Sequence, residues 1–263
     1  MSDDPAWALA QHVCRIGVAE LPTSAVESAR RDILDTFGCM LGGSGSPGID
    51  ELFTVLSHWG GLAESRVLLR GLRLPAPQAA LLNASMGHAL DFDDTLDTGG
   101  SIHPGVSVLA AALAIGDSSD GISGRDLLVA VALGLDISCR IALASTLDRG
   151  WHRTAAMGGF GAAAAAGKLL RLTPEQMLNA FGIAYSHAAG NRQCILDGAL
   201  TNACRLARRR APGCSPQFSR RPGLPGRATY STAGSDFSSC TSRTARMPLC
   251  SYETSARSSG VRH

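Results

Sequence analysis

Apolar side chains recur every three or four residues along most of the first 190 positions, a spacing that gathers them on one face of an α-helix. The pattern predicts helices over about 5–18, 24–41, 49–59, 75–94, 104–116, 124–145, 154–170 and 174–187. A short strand is indicated over 66–69. Eight or so helices with at most one strand predict an all-α domain.

Three of these helices begin with sequences typical of N-terminal caps. Ser24 with Glu27, and Thr173 with Gln176, fit the capping box, in which two side chains satisfy free backbone amides reciprocally. Ser123 heads the third. The helix over 154–170 is crowded with Ala and Gly, which allow neighbouring helices to approach closely, so we expect it to be a central packing helix.

The helical pattern stops after Thr201, and we place a domain boundary there, between 1–201 and 202–263. The last 62 residues hold eleven arginines and two acidic residues, whereas the first 201 hold 13 basic and 20 acidic ones. This composition is typical of a disordered basic tail. A nucleic-acid-binding arm has no other support, so we expect no nucleic-acid partner. Off-frame translation of a GC-rich gene is a third hypothesis, and it fits the abrupt change in composition best.

No apolar run reaches the eighteen residues of a membrane span, and Met1 to Asp4 lack the features of a signal peptide. We therefore expect a cytoplasmic protein with no membrane partner. The eight cysteines form no CxxC or CxxH pattern, which leaves zinc and iron–sulfur sites without support.

Polar side chains concentrate in one otherwise apolar stretch near the end of the predicted helix over 75–94. With helical spacing, His88, Asp91 and Thr95 share one face and Asp93 shares another with Asp97. The Asp91 face is the better candidate for a pocket, because Leu90 and Phe92 flank that residue. A partly buried carboxylate can act as a base near neutral pH. A capping role for Asp91 explains the spacing equally well.

Two further histidines lie at predicted helix starts. His103 precedes Pro104, and a helix N-terminus disfavours the imidazolium form, so His103 is a candidate neutral acid or base. His152 lies just before the Ala/Gly-rich helix. A loop histidine bonded to the backbone is the competing interpretation of both.

A second motif overlaps the same stretch. Asp93 to Asp97 matches the DDxxD pattern that holds magnesium and a diphosphate in isoprenoid synthases. No second acidic motif accompanies it and few aromatic residues are present, so we keep it only as a remote alternative.

Together the motifs resemble those of the MmgE/PrpD family, which includes 2-methylcitrate dehydratase and cis-aconitate decarboxylase. The similar segments are Leu34–Cys39, Gly87–Thr95, His103–Gly105, Gly150–Thr154 with the Ala/Gly-rich helix after it, and Gly190–Gln193. They occur in order over about residues 8 to 201. The string from His88 to Thr95 is the most specific of them.

The resemblance implies a large helical domain followed by a smaller α+β lid domain, with the active site between them. It implies a homodimer that eliminates water or carbon dioxide from a small polycarboxylate, without metal or organic cofactor; some relatives are isomerases or epimerases. Asp91, His103 and His152 are then the catalytic candidates. The candidates for substrate binding are Thr95, His88 and Arg192.

The chain departs from the family pattern in two respects. The family carries a Thr-Lys pair with the lysine in the active site, whereas here Thr201 is followed by Asn202 and the single lysine is Lys168. No lid domain is recognisable. The sequence therefore predicts a truncated or frameshifted member that is inactive by itself; a non-catalytic helical dimerisation remnant is the alternative from another class.

Overall fold

The computed structural model describes residues 4–96, 98–99, 101–145 and 150–196, except for the side chain of Cys194. Asp97, Thr201 and the predicted tail lie outside these residues. The described part forms helices α1 (Pro5–Arg15), α2 (Thr23–Gly43), α3 (Ile49–Trp59), α4 (Ala76–His88), α5 (Gly105–Ser118), α6 (Gly124–Ala144), α7 (Arg153–Leu169), α8 (Pro174–Ser186) and α9 (Gln193–Leu196). A 3₁₀ turn (Val18–Glu20) follows α1. The predicted all-α class is confirmed.

Two short strands lie between α3 and α4. Strands β1 (Ser65–Val67) and β2 (Leu72–Leu74) pair antiparallel, with Arg66 opposite Arg73. The sequence predicts one strand here and misses β2, because three residues are too few to show an alternating pattern.

The core is built around α6 and α7. Helix α6 packs against α7 and α2, and α5 packs between α7 and α4; α8 covers α7 and α1. Among the described helices, α6 alone is long and apolar enough to cross a membrane, but 72% of its most apolar window is buried inside the domain. The packing within this core therefore accounts for its hydropathy.

Glycines allow the close crossing of α6 and α7. A methyl group on Gly161 would overlap Ser138 Oγ and lie 2.5 Å from the Gly134 carbonyl oxygen. A methyl group on Gly134, on the facing helix, would lie 2.8 Å from the Gly161 carbonyl oxygen. The prediction that the Ala/Gly-rich segment is a central packing helix is confirmed.

Two of the three predicted caps are confirmed. Ser123 with Asp126 and Thr173 with Gln176 form capping boxes at the starts of α6 and α8. The prediction for Ser24 is wrong, because α2 begins one residue earlier. The carbonyl of Pro22 accepts the first helical hydrogen bond from Val26, so Ser24 lies inside the first turn.

The predicted extension of the fourth helix to residue 94 is also wrong. Helix α4 ends at His88, and Asp91 adopts a left-handed backbone conformation with φ of 52°. The carboxylates of Asp93 and Asp94 bond to groups outside the stretch, an outcome that short acidic side chains favour over helix continuation. Helical spacing therefore does not apply to residues 89–96, 98–99 and 101–104, which form loop segments, here called the acidic loop.

Candidate active site

A buried histidine–carboxylate pair lies at the centre of the site. His88, the last residue of α4, places Nδ1 2.9 Å from both carboxylate oxygens of Asp93, and both side chains are fully buried. We assign the Nδ1 proton to His88, since the carboxylate is the acceptor. The prediction that Asp93 lies on the outer face is wrong, because the acidic loop folds Asp93 back onto α4.

His103 approaches this pair from the far end of the acidic loop. Its Nδ1 lies 3.2 Å from the backbone oxygen of Asp93, and its ring centroid lies 5.1 Å from that of His88. The backbone N–H of His103 donates to Thr154 Oγ1 at 3.1 Å, which fastens the loop to α7. A backbone carbonyl only accepts, so the proton of neutral His103 lies on Nδ1 and leaves Nε2 as a proton acceptor.

The ring of His152 is held as the other tautomer. It is the N-cap of α7, and its Nδ1 accepts from the backbone N–H of Ala155 at 3.1 Å. The ring is buried and its centroid lies 6.2 Å from that of His88. Burial lowers the pKa of His152, and the neighbouring His88 and His103 lower it further. Neutral His152 therefore carries its proton on Nε2.

Asp91 lies at the open side of this group. Its Oδ1 is 3.7 Å from His88 Nε2 and 3.8 Å from His103 Nε2. The side chain is 62% exposed, so the expectation of a partly buried carboxylate is wrong. The backbone at this residue is left-handed, with φ of 52°. Thr95, predicted to share its face, is also exposed in the acidic loop.

A β-bridge between two segments of this chain brings Arg192 to the site. Trp151 pairs with Asn191; the N–H of His152 donates to the Gly190 oxygen at 2.7 Å, and that of Arg192 donates to the Gly150 oxygen at 2.9 Å. The positive charge of Arg192 contributes to the lowered pKa of His152. Of the six predicted site residues, His88, Asp91, His103 and His152 converge, and Arg192 lies close to them.

Sequence reasoning missed the contacts that two further acidic residues, Asp94 and Asp35, make around the acidic loop. Both carboxylate oxygens of Asp94 accept from the Gly105 N–H, at 3.0 and 3.1 Å, and so tie the loop to the start of α5. Burial and then the charge of Asp93 raise the pKa of Asp35 on α2. Nothing in a helical pattern could have indicated these contacts, because they depend on the chain leaving the helix at His88.

The same side chains provide donors for a cation. One ligand atom from each of His88, Asp91, Asp93 and His103 lies within 4.8 Å of the others. The Nδ1 atoms of His88 and His103 already face Asp93, whereas their Nε2 atoms face Asp91 Oδ1 at 3.7 and 3.8 Å. A site without metal stays a prediction.

Comparison with known proteins identifies similar chains. A family model described as the MmgE/PrpD N-terminal domain matches residues 7–208. Cis-aconitate decarboxylase of Homo sapiens is 30% identical over 194 residues, which cover 69% of this chain and 39% of that protein. Cis-aconitate decarboxylase of Aspergillus terreus is 31% identical over 180 residues, covering 65% and 36%. The chain thus spans about two fifths of the length of the curated relatives it matches.

Proposed function

We propose that this chain, which belongs to the MmgE/PrpD family, forms the proton-transfer side of a lyase site for a small polycarboxylate. The observation that supports this most is that backbone contacts orient the Nδ1 atoms of two histidines in opposite senses. His103 Nδ1 faces a carbonyl oxygen, so its neutral form offers a lone pair on Nε2, whereas His152 Nδ1 accepts from an amide, so its neutral form offers an N–H donor on Nε2. An elimination needs both a base and an acid, and each, when positioned, contributes roughly 10²–10⁴ in rate.

The roles follow from these protonation states. In the loss of water, His103 takes the carbon-bound proton, and the imidazolium so formed returns that proton to the departing hydroxyl group, while the Nε2–H of His152 donates a hydrogen bond to the substrate. In the loss of carbon dioxide, the electron pair of the broken carbon–carbon bond is left on carbon, and His103 in its imidazolium form supplies the proton that quenches it. The names of the relatives favour the decarboxylation of cis-aconitate over dehydration or isomerisation.

The remaining candidates bind and orient. The exposed Arg192 guanidinium can pair with a substrate carboxylate, a contact that is strong when bidentate. Thr95 can donate a hydrogen bond to a second carboxylate from the open side. The charge of Asp91 stabilises the imidazolium that forms when His103 accepts a proton, and the buried Asp93 fixes the ring of His88.

We further propose that the 263-residue chain does not turn over by itself. Asp91 and Thr95 are exposed, so water has access to the carboxylate beside His88 and His103. Excluding water strengthens the electrostatic interactions inside a site, and this side of the site stays open. Lys168 does not complete the site, since its Nζ donates to the Cys14 carbonyl oxygen on another side of the domain.

Ring NMR of the histidines tests the proposal without requiring turnover. Titration with cis-aconitate should shift the signals of His103 and His152, because the ligand carboxylates change the charge around both rings. His58, exposed on α3, is the internal control, and acetate is the control ligand. Arg192→Ala should weaken the response at least tenfold in ligand concentration, since it removes the proposed carboxylate partner.

The alternatives make different predictions in the same samples. A non-catalytic dimerisation remnant self-associates in sedimentation without any response of the rings to cis-aconitate. Product formation from cis-aconitate or 2-methylcitrate by the purified chain would contradict the proposed inactivity but support the lyase assignment. The isoprenoid synthase alternative gains nothing from the geometry, because the carboxylate of Asp93 is buried against His88.

A further inference from the structure

A second buried acid lies beneath the acidic loop and has no role in the proposed chemistry. Asp32 on α2 is 0% exposed, as is Thr36 one turn later. With its carboxyl ionised, neither Asp32 oxygen has a hydrogen-bond donor within reach among the described residues. An ionised carboxylate without donors is among the costliest groups to bury, so its surroundings indicate how it is held.

Three oxygen atoms converge on the first residue of α5. A methyl group on Gly105 would lie 2.5 Å from Asp32 Oδ1, 2.6 Å from Asp94 Oδ1 and 2.8 Å from Thr36 Oγ1. Position 105 must therefore be glycine for the two carboxyls to meet there. Asp94 already accepts from the Gly105 N–H, so its carboxylate is fixed while it faces Asp32.

The described charged groups that act on Asp32 are negative. They are Asp94 and Asp93 from the acidic loop and Asp35 from its own helix; the Cys39 thiol, also on that helix, interacts with Asp32 as well. Burial raises the pKa of Asp32 well above its usual range, and Asp94 raises it further through its charge and through a hydrogen bond. A hydrogen bond between two carboxyls needs a proton on one of them, and the approach of Asp32 Oδ1 and Asp94 Oδ1 to the same point beside Gly105 places the two side chains for it.

We propose that Asp32 is a positioning residue that stays protonated at neutral pH and donates its carboxyl proton to the Asp94 carboxylate. Asp94 in turn holds the Gly105 amide and with it the acidic loop that carries Asp91, Asp93 and His103. A neutral Asp32 therefore locks the loop, and an ionised Asp32 repels Asp94 and releases it. The importance of this lock for catalysis rests on the proposed lyase function, but its existence does not.

Carbon-13 NMR of aspartate side chains in the full chain tests the proton directly. We expect one carboxyl carbon to keep the chemical shift of the protonated form at pH 7, and we expect Asp32→Asn to remove that signal. Asp120→Asn, at an exposed position, should leave it in place. A spectrum with every aspartate ionised at pH 7 would overturn the proposal.

The pH dependence of unfolding gives a second readout. A folded-state pKa above the unfolded value contributes stability that is complete at low pH and is lost as pH rises through the folded pKa. The thermal midpoint of the parent chain should therefore fall with rising pH. That of Asp32→Asn should fall less and lie higher at neutral pH, because the amide donates to Asp94 without titrating. Parallel pH curves would contradict the lock.

Positioning is distinguished from mere stability by the ring signals of His103. They should match the parent in Asp32→Asn and move in Asp32→Ala, which loses the donor. If Asp32→Ala does not fold, the comparison of Asp32→Asn with the parent at high pH replaces it, since ionisation releases the loop only in the parent. An unchanged His103 signal in the parent at high pH would then overturn the proposal. None of these measurements depends on turnover, so a failed lyase assay leaves them interpretable.

Discussion

The side chain of His152 serves the helix and the site at once. Its Nδ1 accepts the hydrogen bond that begins α7, and its ring lies against His88. Accepting that bond requires a lone pair, so capping α7 also keeps the imidazole neutral. The pKa of His152 is lowered by burial in the same direction. The cap therefore fixes which nitrogen carries the proton available to a substrate.

Substitution at His152 separates the two roles. Asparagine is a strong N-cap, whereas alanine caps poorly, so His152→Asn should be more stable than His152→Ala by about 1 kcal/mol. Urea unfolding measures the difference. Both variants lack the imidazole, so neither offers the Nε2–H donor to a substrate. Equal unfolding free energies would show that the cap contributes nothing.

At the scale of single residues, the sequence predicts which residues form the site better than it predicts which of them are buried. The motif residues His88, His103 and His152 do converge, since each lies at the end or the start of a helix. The burial of the two aspartates is the reverse of what helical spacing predicts. Helical spacing predicts Asp91 inside and Asp93 outside, whereas the loop after His88 turns Asp93 inward. Hydrogen bonds that cross a loop have no period by which a sequence can show them.

Among the helices, the close crossing of α6 and α7 depends on the absence of a side chain at Gly161. Gly161→Ala should destabilise the domain by roughly 1–3 kcal/mol, because the new methyl overlaps Ser138 Oγ and the Gly134 carbonyl oxygen. Chemical denaturation of the purified variant measures this. An unchanged midpoint would mean that the two helices separate without cost.

Gly159 on the same helix is the matched control. Its added methyl would meet nothing within 4 Å, so only helix propensity changes. Gly159→Ala should therefore stabilise the domain, by up to about 1 kcal/mol. Opposite signs for two identical substitutions two residues apart would identify packing, and not propensity, as the constraint at Gly161.

Helix starts were more predictable than helix ends in this chain. Ser123 and Thr173 are short-range signals whose hydrogen-bond partners lie three residues away, and both were located correctly. The end of α4 at His88 has no such signal, since Gly or Pro does not follow it. It is set by tertiary bonds from Asp93 and Asp94, which a local pattern does not contain.

At the scale of the whole molecule, the described helices already close one core. The family match ends at residue 208, a few residues past the predicted boundary at 201. A chain that stops after residue 208 should therefore unfold at the same temperature as the full chain and with the same cooperativity. Calorimetry of the two proteins measures this. A lower midpoint in the shortened chain would show that the last 55 residues pack on the domain.

The core helix α6 has a consequence for how the chain is made. Its partners α2 and α5 leave the ribosome before it, but α7 leaves after it, and until then the part of its surface that packs on Gly161 is uncovered. A helix apolar enough to span a bilayer is then only partly covered on a nascent chain. Synthesis that halts between α6 and α7 should therefore yield aggregates or chaperone-bound chains. A halt after α8 should yield a folded domain.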